Sequence, residues 1–230
     1  MLIPKEIQLI LEKLQARGFE AYVVGGCVRD LLLNKKPKDW DITTNANPEK
    51  IQQIFPKSFY QNKFGTVTVQ LESNDPMLKE IEVTTYRVEE KYSDKRHPDA
   101  VRFTNSLTDD LARRDFTINA MALSPVASRN DDKQLAVGNM QYPIIDPFGG
   151  QKDLEDRLIR AVGKPEKRFE EDALRMLRAV RFSMELSSAI DVEQSSVKQK
   201  FTPLENRDDG LMSASIQPII KERNSLKGFT

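Results

Sequence analysis

Four short clusters carry side chains of the types and spacings from which phosphate chemistry is built. The first is Gly25-Gly26-Cys27-Val28-Arg29-Asp30. Two glycines where an apolar strand turns into a helix let backbone N–H groups approach a phosphate closely, and the helix N-terminus that follows favours negative charge. Arg29 can fork onto phosphate oxygens. Alone, the segment serves equally well as a tight turn with an N-terminal ion pair. The second cluster is Asp39-Trp40-Asp41. On a strand, residues two apart share a face, so both carboxylates point the same way. That is what a pair of Mg²⁺ ions needs to hold a nucleoside triphosphate, one lowering the pKa of an attacking hydroxyl and the other stabilising leaving pyrophosphate. A lone D-x-D in a charged chain is often a solvated edge; a diglycine turn upstream moves the reading toward a site. Glu82, on a later strand, is the candidate third carboxylate, its facing left open by its alternation partners Glu80 and Thr84.

The third cluster runs from Arg113 to Ala122. Arg114 and Asp115 lie at the polar start of an otherwise apolar stretch. The guanidinium is suited to triphosphate oxygens, and Asp115 to orienting it or accepting from a sugar hydroxyl; the plain alternative is a surface ion pair of little energetic consequence. The fourth, Glu171 to Phe182, repeats Asp172, Arg175, Arg178 and Arg181 every three residues beside an apolar stripe of Leu174, Leu177 and Val180. Such a helix can offer donors and acceptors to a base edge, or simply be laced by i,i+3 ion pairs. Its three arginines outweigh the acids near them, Glu171, Asp172 and Glu185, which favours an anionic ligand.

These residues need a frame, and the pattern supplies one. Residues 4–17 read as an amphipathic helix closed by Gly18, and Ala21-Tyr22-Val23-Val24 as a short apolar strand. A helix follows from Val28 to Leu33, then a Lys-Lys-Pro turn and a strand over 39–43. Asn47-Pro48-Glu49 opens a helix to Phe55. Strands are predicted at 66–71 and 80–86 around an Asn74-Asp75-Pro76 turn. Residues 87–105, charged and without period, read as a mobile loop, 106–123 as helix, 124–143 as an irregular insertion, and the chain from about 153 as helical, strongest at 166–186. The stretch 187–230, poor in core formers, reads as weakly ordered or as helices lacking a packing partner.

The 230 residues are 39% hydrophobic and 30% charged, with 35 basic and 35 acidic side chains. A balanced charge gives no global field for nucleic acid, so any RNA contact must come from local clusters. One cysteine, Cys27, and one histidine, His97, exclude a disulfide framework and a Cys/His zinc site. With no signal-type or membrane-length apolar run, a cytoplasmic protein with no membrane partner is expected.

Together the clusters resemble the tRNA nucleotidyltransferase and bacterial poly(A) polymerase family, the class II CCA-adding enzymes, over about residues 20–186. Gly-Gly-x-Val-Arg-Asp with Asp39-Trp40-Asp41 looks like its metal and triphosphate motif. Arg113-Arg114-Asp115-Phe116-Thr117-Ile118-Asn119 looks like its ribose motif, and Asp146-Pro147-Phe148-Gly149-Gly150 like its head–neck hinge. Glu171-Asp172-x-x-Arg175 is similar to the neck motif that reads CTP or ATP by the Watson–Crick edge. The resemblance implies Mg²⁺ on Asp39 and Asp41; the strand reading above adds Glu82 to the catalytic set. The resemblance also implies nucleotide contacts from Gly25, Gly26, Arg29, Arg114, Asp115 and Asn119, and base selection by Glu171, Asp172 and Arg175 with Arg178 and Arg181 in support. The 87–105 loop lies where the family carries the flexible loop needed for terminal A addition.

The implied fold is an α/β (α+β) head with a small mixed sheet and flanking helices (1–145), then an all-α neck (146–186) and a polar segment (187–230). The implied function is template-independent addition of CCA to the tRNA 3′ end. Poly(A) polymerase activity, a truncated form that binds nucleotide without turnover, and a transferase acting on a small molecule or protein are the alternatives. The segment 124–143 is longer and more polar than the family pattern, and 187–230 does not resemble the body and tail that grip tRNA. Truncation is therefore expected, with RNA grip from a second copy or a partner subunit.

Overall fold

A computed structural model describes residues 3–60, 64–90, 92–94, 96, 98–124, 134–137, 140–188, 197–203 and 214–220. The chain opens with helix α1 (Lys5–Gln15), whose Ile7, Ile10, Leu11 and Leu14 are all buried, as their spacing requires. Strand β1 (Ala21–Val24) runs into α2 (Gly26–Leu32), and β2 (Asp41–Thr44) leads to α3 (Pro48–Ile54), capped by the Asn47 side chain on the Lys50 N–H. Strands β3 (Ser58–Tyr60), β4 (Thr66–Gln70) and β5 (Glu80–Thr85) follow. With β8 (Ala122–Leu123), β9 (Gln134–Val137) and β10 (Met140–Ile145) they form an eight-stranded sheet in the order β3-β4-β5-β2-β1-β8-β10-β9. Its β2–β5 pair is parallel and the others antiparallel, so the sheet is mixed.

One core joins α1, α2 and α3 to one sheet face through Ile7, Leu11, Val23, Ile42, Ile51, Val67, Val83 and Trp40. Trp40, 6% exposed, is driven into that core between the two aspartates. The strand begins only at Asp41, however, so Asp39 stands on the bend before it rather than in the strand.

Several expected elements take another form. Within 87–105, expected as a mobile loop, β6 (Arg87–Glu90) pairs with β7 (Ala100–Phe103) as a hairpin; residues 91, 95 and 97 between them lie outside the described residues. The expected helix 106–123 is α4 (Leu107–Ala112), a 3₁₀ turn at Thr117–Asn119 and β8. It breaks because Phe116 is extended (φ −126°, ψ 149°), its N–H taken by the Asp115 carboxylate. The insertion holds β9 and most of β10; Ser128-Arg129-Asn130-Asp131-Asp132 lies outside the described residues. The region after 146 is mainly helical, α5 (Gly150–Glu155), α6 (Pro165–Glu171) and α7 (Leu174–Ser188), but it includes a strand, β11 (Leu158–Ile159). The expected continuous helix over 166–186 is interrupted at Asp172, which is extended (φ −147°, ψ 106°). Against the weakly ordered or helical expectation, β12 (Val197–Pro203) and β13 (Ala214–Ile220) form a three-stranded sheet with β11.

Helix α7 meets the head through Phe182 and Leu186, which cluster with Phe116, Ile118, Leu154 and Ile159. Leu174, Leu177 and Val180, the apolar stripe of the sequence, are instead 42%, 68% and 51% exposed. No helix among the described residues is long and apolar enough to cross a membrane.

The turn into α5 is tightly made. Asp146 accepts from the Gly150 and Gln151 N–H groups at 2.7 and 2.9 Å, and Gly149 takes a left-handed φ of 75°. A Cβ on Gly150 would fall 2.2 Å from the Thr117 carbonyl oxygen, inside the turn that follows Asp115. Gly150→Ala should therefore cost about 1–3 kcal/mol of unfolding free energy, seen as a lower denaturant midpoint with unchanged slope. A wild-type midpoint would show that α5 does not press on that turn.

Candidate active site

At the end of β1 the backbone turns through Gly25, φ 83°, a conformation that glycine adopts without strain. Contact demands it as well. A Cβ there would sit 2.8 Å from Nη1 of Arg114 and 3.5 Å from Oδ2 of Asp41. Three segments distant in sequence thus meet at one backbone atom: the diglycine turn, the first residue of β2 and the residue pair following α4.

This meeting point opens into a cleft of about 950 Å³. The cleft is lined from the head by Gly26, Arg29, Asp39, Asp41, Arg114, Asp115 and Asn119, and from the helical region by Asp172, Arg175, Arg178 and Arg181. Most of the residues singled out in the sequence therefore converge. Glu82 does not line the cleft: it pairs in register with Asp41 on the same sheet face but is exposed. Glu171 also lies off the cleft, behind Arg175.

Burial raises the Asp41 carboxyl above the ordinary carboxylate range; the nearby charges of Arg114 and Arg113 pull it down and that of Asp39 pushes it further up. A cation between the aspartates would relieve that repulsion, and the all-oxygen donor set suits a hard divalent ion. On the cationic side, Nε of Arg114 is buried without a hydrogen-bond partner among the described residues, a donor that an anionic ligand can satisfy. Two acids suited to Mg²⁺ beside an arginine with an unsatisfied donor fit a metal-bound triphosphate.

Asp110, passed over in the sequence, organises this region. It is 0% exposed and bonds the Thr43 hydroxyl (3.1 Å), the Arg87 N–H (3.3 Å) and Nε of Arg113 (2.9 Å), and lies 3.9 Å from Arg114. Burial acts to raise its pKa, but Arg113, Arg114 and these hydrogen bonds hold it below the ordinary range. The i,i+3 and i,i+4 spacing to Arg113 and Arg114 was the available signal. Glu89 on β6 has a parallel role, gathering Arg87 (2.9 Å), Arg113 (3.1 Å) and the Tyr92 hydroxyl.

A polar relay links head to helices. Arg29 donates to Asn119 Oδ1 (2.8 Å), Asn119 donates to Asp115 Oδ1 (3.2 Å), and Arg178 donates to Asp115 Oδ2 (2.7 Å). Arg29, Arg178 and Arg181 lie 5.0, 5.3 and 4.7 Å from the Phe182 ring, which gathers three guanidiniums on one wall. Arg175, 7% exposed, is fixed by Glu171 Oε2 (2.7 Å) and the Arg168 carbonyl (3.1 Å), with Tyr92 of the hairpin beside it. Asp172 caps α7 through Leu174 N–H (2.9 Å). Cys27, enclosed at the same turn, has its thiol pushed up to about 12 by burial and by Asp41, and is inert at neutral pH.

A mixed-sheet head that ends in a diglycine turn, an aspartate pair and a guanidinium, with helices closing the cleft, is a nucleotidyltransferase head. The pattern of the poly A polymerase head domain matches residues 21–160, and the chain belongs to that family. It is 45% identical to the CCA-adding enzyme of Enterococcus faecalis over 201 residues, 87% of this chain and 45% of that one. To the CCA-adding enzyme of Geobacillus stearothermophilus it is 45% identical over 222 residues, 95% of this chain and 48% of that one. The crystal structure of the Bacillus stearothermophilus CCA-adding enzyme in complex with CTP superposes with a TM-score of 0.64 at 42% identity, over 79% of this chain and 39% of that one. The chain thus spans about half the length of these relatives or less.

The carboxylates of half-buried Asp41 and buried Asp110 should respond oppositely to neutralisation. Asp41, its pKa raised, contributes stability that is present at low pH and lost as pH climbs through the folded value, so Asp41→Asn should raise the Tm of the metal-free chain at pH 7. Asp110, its pKa lowered, contributes stability above the unfolded value that is lost as pH falls, so Asp110→Asn should cost about 3 kcal/mol at pH 7. Both differences should shrink on acidification. Thermal melts from pH 3 to 8 check this, and equal signs for the two variants would refute the charge balance described.

Proposed function

We propose that this chain is the nucleotide-binding and catalytic portion of an enzyme that adds CCA to tRNA 3′ ends from CTP and ATP without a nucleic-acid template. One observation carries the reading: Asp39, Asp41, Arg114 and the diglycine turn share a single cleft with Asp172 and Arg175. The relatives' names and their crystallised CTP complex point the same way.

In this reading residues 1–145 are the catalytic head and 146–186 the neck that selects the nucleotide. Asp39 and Asp41 would hold Mg²⁺, which when bound would neutralise the triphosphate and acidify the RNA 3′-hydroxyl. Arg114 and Arg29 hold phosphate oxygens, and the Gly25-Gly26 backbone lets them come close. Asp115 and Asn119, already joined to Arg29 and Arg178, accept and donate at the ribose. Asp172 keeps acceptor capacity beyond its bond to Leu174, and Arg175 is pre-set by Glu171; together they present an acceptor and a donor to a Watson–Crick edge. Arg178 and Arg181 support this wall. The hydroxyl attacks the α-phosphate, the bond to pyrophosphate breaks, and catalysis rests on positioning and fixed charge. Glu82 receives no role because it lies off the cleft.

Incubation with tRNA lacking its CCA end, Mg²⁺, and labelled CTP and ATP should give extension by three nucleotides. Asp39→Asn or Asp41→Asn should reduce it by about 10³-fold, while Glu82→Gln should stay close to wild type. Long A tails would instead establish a poly(A) polymerase. Nucleotide binding with no incorporation into any RNA would leave a binding form without turnover.

A further inference from the structure

The turn between α2 and β2 reads Lys35-Lys36-Pro37-Lys38 and runs straight into Asp39. In the sequence it served only as a turn. In the structure all three lysines line the same cleft as the aspartates. Lys35 Nζ reaches the Glu185 carbonyl of α7 at 3.4 Å, which brings the turn alongside Arg181. Lys36 is 75% exposed, with Asp75 at 3.3 Å, and Lys38 is exposed with no carboxylate recorded within ion-pair distance among the described residues.

These cations differ in kind from those at the diglycine turn. Arg29 and Arg114 have side chains 11% and 17% exposed and are held by neighbouring groups, as suits a ligand fixed in one pose. The lysines are solvated point charges on flexible stems, suited to a polyanion arriving from solvent. A chain with balanced overall charge must concentrate any RNA-binding field locally, and here three cations in four residues precede the first proposed metal ligand. In an in-line displacement the attacking hydroxyl enters opposite the leaving pyrophosphate, so the backbone phosphates behind that hydroxyl need cations of their own near the aspartates, separate from those that hold the triphosphate.

Resting on the function proposed above, we infer that the Lys35–Lys38 turn is the primer track of this cleft: Lys36 and Lys38 bind the backbone phosphates at the 3′ end of the acceptor RNA, not the triphosphate. The contact is sequence-independent and places the terminal hydroxyl beside Asp39 and Asp41.

The test uses the whole 230-residue chain, a 5′-fluorescein single-stranded RNA dodecamer with a free 3′-hydroxyl, and CTP. Anisotropy titrations over a range of KCl give RNA affinity and its salt slope, and calorimetry gives CTP affinity. Lys36→Ala with Lys38→Ala should weaken RNA binding about tenfold at low salt and flatten the log–log slope by about 1.4. The CTP Kd should stay within about twofold, because the triphosphate cations are elsewhere. Lys36→Arg with Lys38→Arg should restore RNA binding. The inference is overturned if CTP affinity falls as far as RNA affinity, if RNA affinity and slope do not change, or if the wild-type chain binds CTP and not RNA. A wild-type chain that binds neither CTP nor ATP defeats the underlying functional reading, and the primer track with it.

Discussion

The guanidinium of Arg114, packed against the backbone of Gly25 beside the carboxylate of Asp41, is the contact on which the rest of the molecule depends. It draws together three segments that lie far apart in sequence, and each must meet a physical demand for it to exist. Gly25 must lack a side chain. Asp41 must tolerate partial burial near another acid. Arg114 must be steadied from behind, by Asp110. The sheet order β5-β2-β1-β8 sets the first two side by side, and the short α4 swings the third over them.

Charge is balanced around that contact by division of labour. Asp110 and Glu89 are depressed carboxylates that hold arginines in place; for both, burial is outweighed by the surrounding cations and hydrogen bonds. Asp41 is the exception, left with more burial and acidic repulsion than its arginines offset. Beside it the buried Nε of Arg114 has no hydrogen-bond partner among the described residues, and the pair suits a ligand that brings both a cation and an anion. Polar links also cross to the helical region, an ion pair through Asp115–Arg178 and a hydrogen bond through Tyr92 and Arg175, so residues from both sides of the cleft are tied together.

Much of this was legible in the residues. The buried face of α1, the strand before Gly25 and the Asn47 cap follow from period and local hydrogen bonding, and the family motifs placed the aspartates, arginines and Asn119 in one site. Failures have identifiable causes. Strands β6 and β7 are partly or fully exposed on both faces, so no alternation betrays them. The break at Asp172 exists because its carboxylate caps α7, a competition that three-residue spacing conceals. Leu174, Leu177 and Val180 look like a core stripe, yet the helix packs instead through Phe182 and Leu186, with Arg175 also buried. Asp110 had a local signal in its spacing to Arg113 and Arg114, but its partners on β2 and the hairpin come from tertiary structure, as does the contact of the lysine turn with α7.

The most direct measurement is anomalous diffraction from crystals of this chain grown with Mn²⁺ and a non-hydrolysable CTP analogue. A manganese peak is expected about 2.1 Å from carboxylate oxygens of both Asp39 and Asp41, with the triphosphate lying against the diglycine turn and Arg114. Manganese or triphosphate ordered elsewhere, with Asp39 and Asp41 turned away from both, would contradict that arrangement.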